Sequence, residues 1–323
     1  MNNKIIVILG PTSSGKSDVA IKLAKKFDGE IISADSRQVY RGLDIGSGKV
    51  EADQSAEIPQ EFTNSKFYAG TRRAKPFFSE GIPHYAIDIV SPRTEFNAAK
   101  FKKYADKVII DILKRKKLPI ICGGTGFWIK AIVDNVNYPE VKPDPMLRSM
   151  LRNKSVSELF TQLKKLDPKR AASIDAKNPA RLIRAIEICK AIGKVPAPSP
   201  CEGEGWGEVL QIGISHPKEK LTKRIETRLK KRFGAGMIEE VEKLHQKEKV
   251  SWKRLESFGL GYKLIPQYLR GEIKNKKELF DLVYLAEKNY AKRQMTWFKK
   301  DKRILWMDNH KSIEIEVARF LEK

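Results

Sequence analysis

Residues 10–17 read GPTSSGKS, the spacing G-x-x-x-x-G-K-[ST] of a loop that cradles phosphates. The stretch follows an apolar run, Ile5 to Leu9. It precedes a helical pattern of Val19, Ala20, Ile21, Leu23 and Ala24. Strand, glycine-rich turn and helix N-terminus aim backbone N–H groups at an anion. Lys16 is placed to reach phosphate oxygens, and Ser17 to ligate Mg²⁺. A loop of this kind demands an α/β core around it. It specifies a phosphorylated ligand but not a nucleotide.

Further apolar runs at 30–34, 85–90, 118–122 and 209–214 predict more strands, with 303–307 as an edge or late strand. Helical patterns such as 97–115 alternate with them, which argues a doubly wound parallel sheet. The pattern changes after 137. A proline-rich break at 138–145 is followed by helical text from 146 to 192 and a loop at 197–207. Three stretches follow: 1–137 as the first part of the core, 138–207 as a helical insertion, and 208–323 as core completion with basic C-terminal helices. Helices are expected at 217–247 and 276–300. Residues 49–82 are polar and without clear period, so a long loop or small subelement is expected there.

The chain has 323 residues, with 63 Lys plus Arg against 40 Asp plus Glu, a net charge of +23. Such an excess suggests a polyanionic partner. It concentrates in 218–232, with eight basic and two acidic side chains, and in 288–303, where Tyr290, Trp297 and Phe298 interleave. Cations among aromatics suit nucleic acid. No apolar run reaches the ~18 residues of a membrane span, so no membrane role is expected. The N-terminus enters a strand at once, without an apparent signal peptide. Cys122, Cys189 and Cys201 show no metal or redox spacing, which suits reduced thiols in a cytoplasmic protein.

Asp35 ends the second strand, where α/β sheets bind ligands. Its carboxylate can orient a metal-bound water, take a proton from a nucleophile, or serve as a turn aspartate at Ser36. Gly123-Gly124-Thr125-Gly126 after the fourth run is either a strand-to-helix turn or a ligand contact. Arg224 and Arg228, four apart on one helix, can reach one anion or form a solvated face.

Together these residues resemble the tRNA dimethylallyltransferases (tRNA isopentenyltransferases). The resemblance rests on GPTSSGKS at 10–17, ISADSRQVYRGLDIGSGK at 32–49, PHYAIDIVSP at 83–92 and FNAAKFKKYA at 96–105. It continues with GGTGFWIKAIV at 123–133, DPKRAASIDAKNPARLIRAIEI at 167–188, RIETR at 224–228, GLGYK at 259–263 and AKRQMTWFKK at 291–300.

The resemblance implies a P-loop NTPase-like core with a helical insertion domain that binds tRNA. It implies that the phosphate loop holds dimethylallyl diphosphate rather than ATP. The acceptor is N6 of the adenosine 3′ of the anticodon, position 37, in the anticodon stem-loop of tRNA. Asp35 matches the general base, with Thr12 and Thr125 around it. Thr12, Ser13, Ser14, Gly15, Lys16, Ser17 and Arg228 match the pyrophosphate site, and Ser17 the Mg²⁺ ligand. Asp35, Ser36, Arg37, Gln38 and Thr125 match tRNA-contacting positions. So do Arg148, Arg181 and Arg184 in the insertion, and Gly261, Tyr262, Lys263, Lys292, Arg293, Gln294 and Trp297 toward the C-terminus. A monomer is expected. The competing readings are adenylate isopentenyltransferase acting on free AMP, ADP or ATP, a P-loop small-molecule kinase, and a non-catalytic RNA-binding protein.

Overall fold

The computed structural model describes residues 4–53, 77–136, 138–139, 141–196 and 206–322. It is an α/β protein. The chain divides into two compact units, residues 1–134 with 206–323, and residues 135–205.

The first unit is built on a sheet that has seven strands among the described residues: β1 (Ile5–Leu9), β2 (Gly29–Ser33), β3 (Phe77–Ser79), β4 (Ile82–Tyr85), β5 (Leu118–Gly123), β6 (Val209–Ile214) and β7 (Ile304–Met307). Their order is β3-β4-β2-β5-β1-β6-β7. All neighbours are parallel except β3 and β4. Every residue of β1 is fully buried between β5 and β6. A parallel strand covered on both faces has no wet side, which is why its sequence is continuously apolar rather than alternating.

Helix α1 (Lys16–Lys26) buries Ala20, Ile21, Leu23 and Ala24 against Ile6, Ile8, Ile31 and Ile120. Helix α2 (Ala98–Lys114) starts at Asn97, whose side chain accepts from the Lys100 N–H, and packs on β2 and β5. Helix α3 (Gly126–Val133) leaves β5 through the turn at 124–125.

One strand expectation needs correction. The run 85–90 leaves the ladder after Tyr85, because Ala86 and Asp88 adopt positive φ (60° and 55°) and Val90 makes only an isolated bridge to Tyr40. The polar stretch at 49–82 contains β3 and the start of β4, a hairpin whose two-residue turn places Glu80 and Gly81 at positive φ. Residues 54–76 of that stretch lie outside the described residues, as does Cys201. Cys122 and Cys189 are buried free thiols.

In the second unit, among the described residues, helices α4 (Pro145–Arg152), α5 (Val156–Leu166), α6 (Pro168–Ser173) and α7 (Pro179–Ile192) close around Leu147, Leu151, Leu159, Leu163, Leu182 and Ile186. Each helix has a side-chain N-cap, from Asp144, Ser155, Asp167 and Asn178, and three of them begin with proline. Proline costs nothing at a first turn, where its missing N–H has no partner to lose.

The first unit resumes with β6, α8 (Lys218–Gly234), α9 (Met237–Gln246), α10 (Trp252–Glu256), α11 (Gly261–Leu269), α12 (Lys276–Phe298), β7 and α13 (His310–Glu322). The expected helix at 217–247 is two helices. Gly236 at φ +94° is the N-cap of α9, a left-handed position that interrupts any continuous helix. Helix α13 adds Ile313 and Val317 to the core beside β6.

Candidate active site

The phosphate loop joins β1 to α1. Ser13 (φ 62°) and Gly15 (φ 89°) take the left-handed turns that bring the chain round to the N-terminus of α1. The hydroxyls of Ser13 and Ser14 are buried and have no hydrogen-bond partner among the described residues. Orphaned buried hydroxyls are costly unless a ligand supplies their partner; Ser13 lines the cleft, where a phosphate oxygen suits it, whereas Ser14 does not line it. Lys16 Nζ donates to Pro11 O at 3.2 Å. Desolvation pushes its pKa down, with Arg228 acting the same way and Cys122 and Asp35 opposing. A half-buried cation without a carboxylate partner among the described residues is poised for an anion.

Helix α8 presents three guanidinium groups at every fourth residue. Arg224 Nε donates to Ser13 O at 2.7 Å. Arg228 donates to Thr12 Oγ1 at 3.4 Å and to Gly48 O at 2.9 Å. Arg232 donates to Gly46 O at 2.9 Å and pairs with buried Glu287. The basic run is therefore a wall of the site and not a solvated face. Desolvation and the neighbouring Arg232 lower the pKa of Arg228. Sequence reasoning misses Arg232 and Glu287, although the four-residue spacing from Arg228 points to Arg232.

Asp35 stands where β2 leaves the sheet, and its Oδ1 accepts the Arg37 N–H at 2.9 Å. It is thus a turn aspartate and also a lining residue of the main cleft. The cleft encloses about 1080 Å³ and is lined by Thr12, Ser13, Gly15, Lys16, Ser17, Arg37, Gln38, Arg224, Arg228 and Tyr290 as well. Thr125 is not among its lining residues. Its hydroxyl accepts the Ser36 N–H at 3.1 Å and bonds Tyr290, so it braces the Asp35 turn from behind. Arg37 lies 5.0 Å from the centre of the Tyr290 ring and donates to Phe258 O at 2.9 Å. Gln38 Oε1 accepts from Ser33 Oγ at 2.8 Å.

Several residues matched to tRNA contacts also hold the interior together. Gln294 is buried. Its Oε1 accepts the Thr12 N–H at 2.9 Å and its Nε2 donates to Gly124 O at 2.8 Å, tying the phosphate loop to the turn after β5. Tyr262 is 1% exposed and donates to Glu240 Oε1 at 2.7 Å. A Cβ on Gly261 would sit 2.2 Å from the Met237 methyl. Gln294 also lines the cleft, whereas Gly261 and Tyr262 are not among its lining residues. By contrast, Lys263, Lys292 and Arg293 are exposed. The Trp297 indole is 39% exposed and packs over Gly126.

In the second unit, Arg148 holds both oxygens of Glu187 at 2.9 Å, and Arg184 pairs with the same carboxylate. Arg184 also donates to Val141 O at 2.9 Å. Arg181 is exposed, 3.6 Å from Asp175. Of the three arginines expected at RNA, Arg181 is therefore the least committed to the fold.

Among the described residues no group of three or more His, Cys, Asp or Glu side chains is arranged to hold a metal. Among the described residues the Ser17 hydroxyl bonds the weakly polar Cys122 thiol, whose pKa burial pushes up to about 11. A hydroxyl with so weak a partner suits Mg²⁺, which keeps its waters and takes few protein ligands besides substrate phosphates.

The IPP transferase family model matches residues 65–301, and the isopentenyl transferase model matches residues 3–67. The chain is 39% identical over 297 residues to tRNA dimethylallyltransferase 2 of Treponema denticola, covering 91% of each. It is 36% identical over 324 residues to the tRNA dimethylallyltransferase of Carboxydothermus hydrogenoformans, covering 96% of this chain and 94% of that one. Among solved structures it resembles the tRNA isopentenylpyrophosphate transferase of Bacillus halodurans, with a TM-score of 0.67, 31% identity, and coverage of 99% and 96%. It also resembles a eukaryotic dimethylallyltransferase described as acting on tRNA, with a TM-score of 0.73, 25% identity, and coverage of 94% and 73%. The P-loop core, the sequence and these likenesses agree, and the chain belongs to the tRNA dimethylallyltransferase family.

Proposed function

We propose that the protein transfers a dimethylallyl group from dimethylallyl diphosphate to N6 of adenosine 37 in the anticodon loop of tRNA, releasing diphosphate. The observation that carries this reading is a single cleft holding the phosphate loop, the arginines of α8 and Asp35. It does so in a chain whose relatives are named for this reaction.

The bond from C1 of the prenyl group to the diphosphate oxygen breaks, and its electron pair leaves with the diphosphate. The loop N–H groups, Lys16, the Ser13 hydroxyl and Arg228 stabilise that departing charge. When bound at Ser17, Mg²⁺ supplies further neutralisation of the phosphate oxygens. N6 of adenine is a poor nucleophile, since its lone pair is delocalised into the ring. The base must leave its stack and be aimed at C1. The N6–C1 bond forms, and Asp35 accepts the proton that N6 loses. The cations along α12, Lys292 and Arg293, with Lys263 and Arg181, hold the RNA backbone.

The protein is a monomer of the cytoplasm in this reading. None of its described helices is long and apolar enough to cross a membrane. Incubation with labelled dimethylallyl diphosphate and either tRNA or AMP tests it. Label is expected on tRNA. Label on AMP alone would transfer the assignment to an adenylate isopentenyltransferase, and label on neither would end the reading.

A further inference from the structure

The phosphate loop is held from behind as well as from the cleft. His216, just beyond β6, has its Nε2 at 2.9 Å from Ser14 O. A carbonyl oxygen only accepts, so Nε2 carries the proton. Nδ1 is buried with no partner among the described residues. The ring does not line the main cleft. It lines a separate cavity of about 650 Å³, together with Met295, Lys299, Asp301 and Trp306. Thr12, Ser13, Gly15 and Lys16 line the main cleft.

The Ser14–Gly15 peptide is trans, so its C=O and N–H point in opposite directions. A carbonyl drawn back to His216 turns the Gly15 N–H the other way, towards the side that the cleft occupies. On the cleft side Arg224 takes Ser13 O at 2.7 Å, and the Ser14 N–H closes the turn on Pro11 O at 3.3 Å. Gln294 holds the Thr12 N–H at 2.9 Å, so the loop is fixed residue by residue.

We propose that His216 is a positioning residue for the leaving group, holding the Ser14 carbonyl through a fixed Nε2–H tautomer so that the Gly15 N–H faces the diphosphate. The role rests on the reading of the loop as the diphosphate site. It requires no change of charge, because the neutral Nε2–H form and the imidazolium both donate from Nε2.

The test uses the full chain and inorganic pyrophosphate as the probe. Calorimetry should show pyrophosphate Kd raised about 3- to 10-fold in His216→Ala, the range of one hydrogen bond, with tRNA affinity unchanged. His216→Gln carries an N–H at a similar reach and should restore wild-type binding. The ¹⁵N spectrum of neutral His216 should show the proton on Nε2. An Nδ1–H tautomer, or an unchanged Kd in a folded His216→Ala, would overturn the inference while leaving the donor site intact. A wild-type chain that bound no pyrophosphate would overturn the donor reading and this inference with it.

Discussion

Tyr262 donates its hydroxyl to Glu240 Oε1 at 2.7 Å, and by that bond α11 steadies a wall of the cleft it does not itself line. Glu240 accepts the N–H groups of Asp44, Ile45 and Gly46 at 2.9, 2.6 and 3.1 Å. From the other side Arg232 and Arg228 take the carbonyls of Gly46 and Gly48. The loop 44–48 is gripped on both of its polar edges. Burial raises the pKa of Glu240 and of Tyr262. Tyr262→Phe keeps the ring and removes the donor. It should cost about 1–3 kcal/mol of stability by denaturant unfolding and leave tRNA affinity unchanged. A loss of tRNA affinity without a loss of stability would restore Tyr262 as an RNA contact.

Lys16→Ala removes the half-buried ammonium of the phosphate loop. Prenyl transfer should be abolished while tRNA binding stays largely intact, since Lys292 and Arg293 lie on a separate helix. Paired activity and filter-binding assays check this. Near-normal turnover in the variant would mean that the donor sits elsewhere.

Asp35→Asn keeps the Asx turn, because the amide oxygen can still accept the Arg37 N–H. It loses the proton acceptor, and kcat should fall about 10²–10⁴-fold, as for removal of a general base. Donor affinity should change little. Wild-type kcat would leave Asp35 with its turn role alone.

Lys292 and Arg293 are exposed on α12, with Arg293 5.8 Å from the centre of the Tyr290 ring. Replacing both with Ala should weaken tRNA binding and flatten the dependence of log K on log salt by up to about two units. KM for tRNA should rise more than kcat falls, as for lost uniform binding. A salt slope equal to wild type would show that neither residue meets a phosphate.

Burial opposes ionisation of Glu187. Hydrogen bonds from Arg148, the Asp144 N–H and Arg184 outweigh it and hold its pKa below the ordinary carboxylate range. A depressed pKa in the folded state means that the unfolded chain takes up the proton first as pH falls. The stabilisation is therefore complete above the ordinary glutamate pKa of about 4.3. It declines below that and is gone once pH passes beneath the folded value. Glu187→Gln should destabilise residues 135–205 by about 3 kcal/mol at neutral pH, because two arginines lose their carboxylate. It should also flatten the acid limb of the unfolding curve. Equal acid limbs in both proteins would refute the assignment.

The phosphate loop and the α/β core were legible because they are written locally. GPTSSGKS between an apolar run and a helical period admits few conformations, and five of the seven strands among the described residues follow from apolar runs, four of them buried and the fifth, β7, at the sheet edge. The helices of the insertion were legible for the same reason, each opening on Asp, Ser or Asn and three with proline next. What the local pattern did not contain is which way a polar side chain faces once distant segments meet. Gln294 and Lys292 stand two residues apart in one basic, aromatic stretch, yet one is buried across two loops and the other is exposed. Tyr262 and Lys263 are adjacent and divide in the same way. The departure of the chain from the ladder at Ala86 is likewise a tertiary choice, since residues 86–90 remain as apolar as a strand. A helix turns 100° per residue. The partners that make a polar group cheap to bury, Thr12 and Gly124 for Gln294 and Glu240 for Tyr262, arrive from far along the chain. Sequence therefore determined the elements and the chemistry of the phosphate loop. Only the packing of α8, α11 and α12 around the sheet decided which polar residues face the cleft and which hold it in shape.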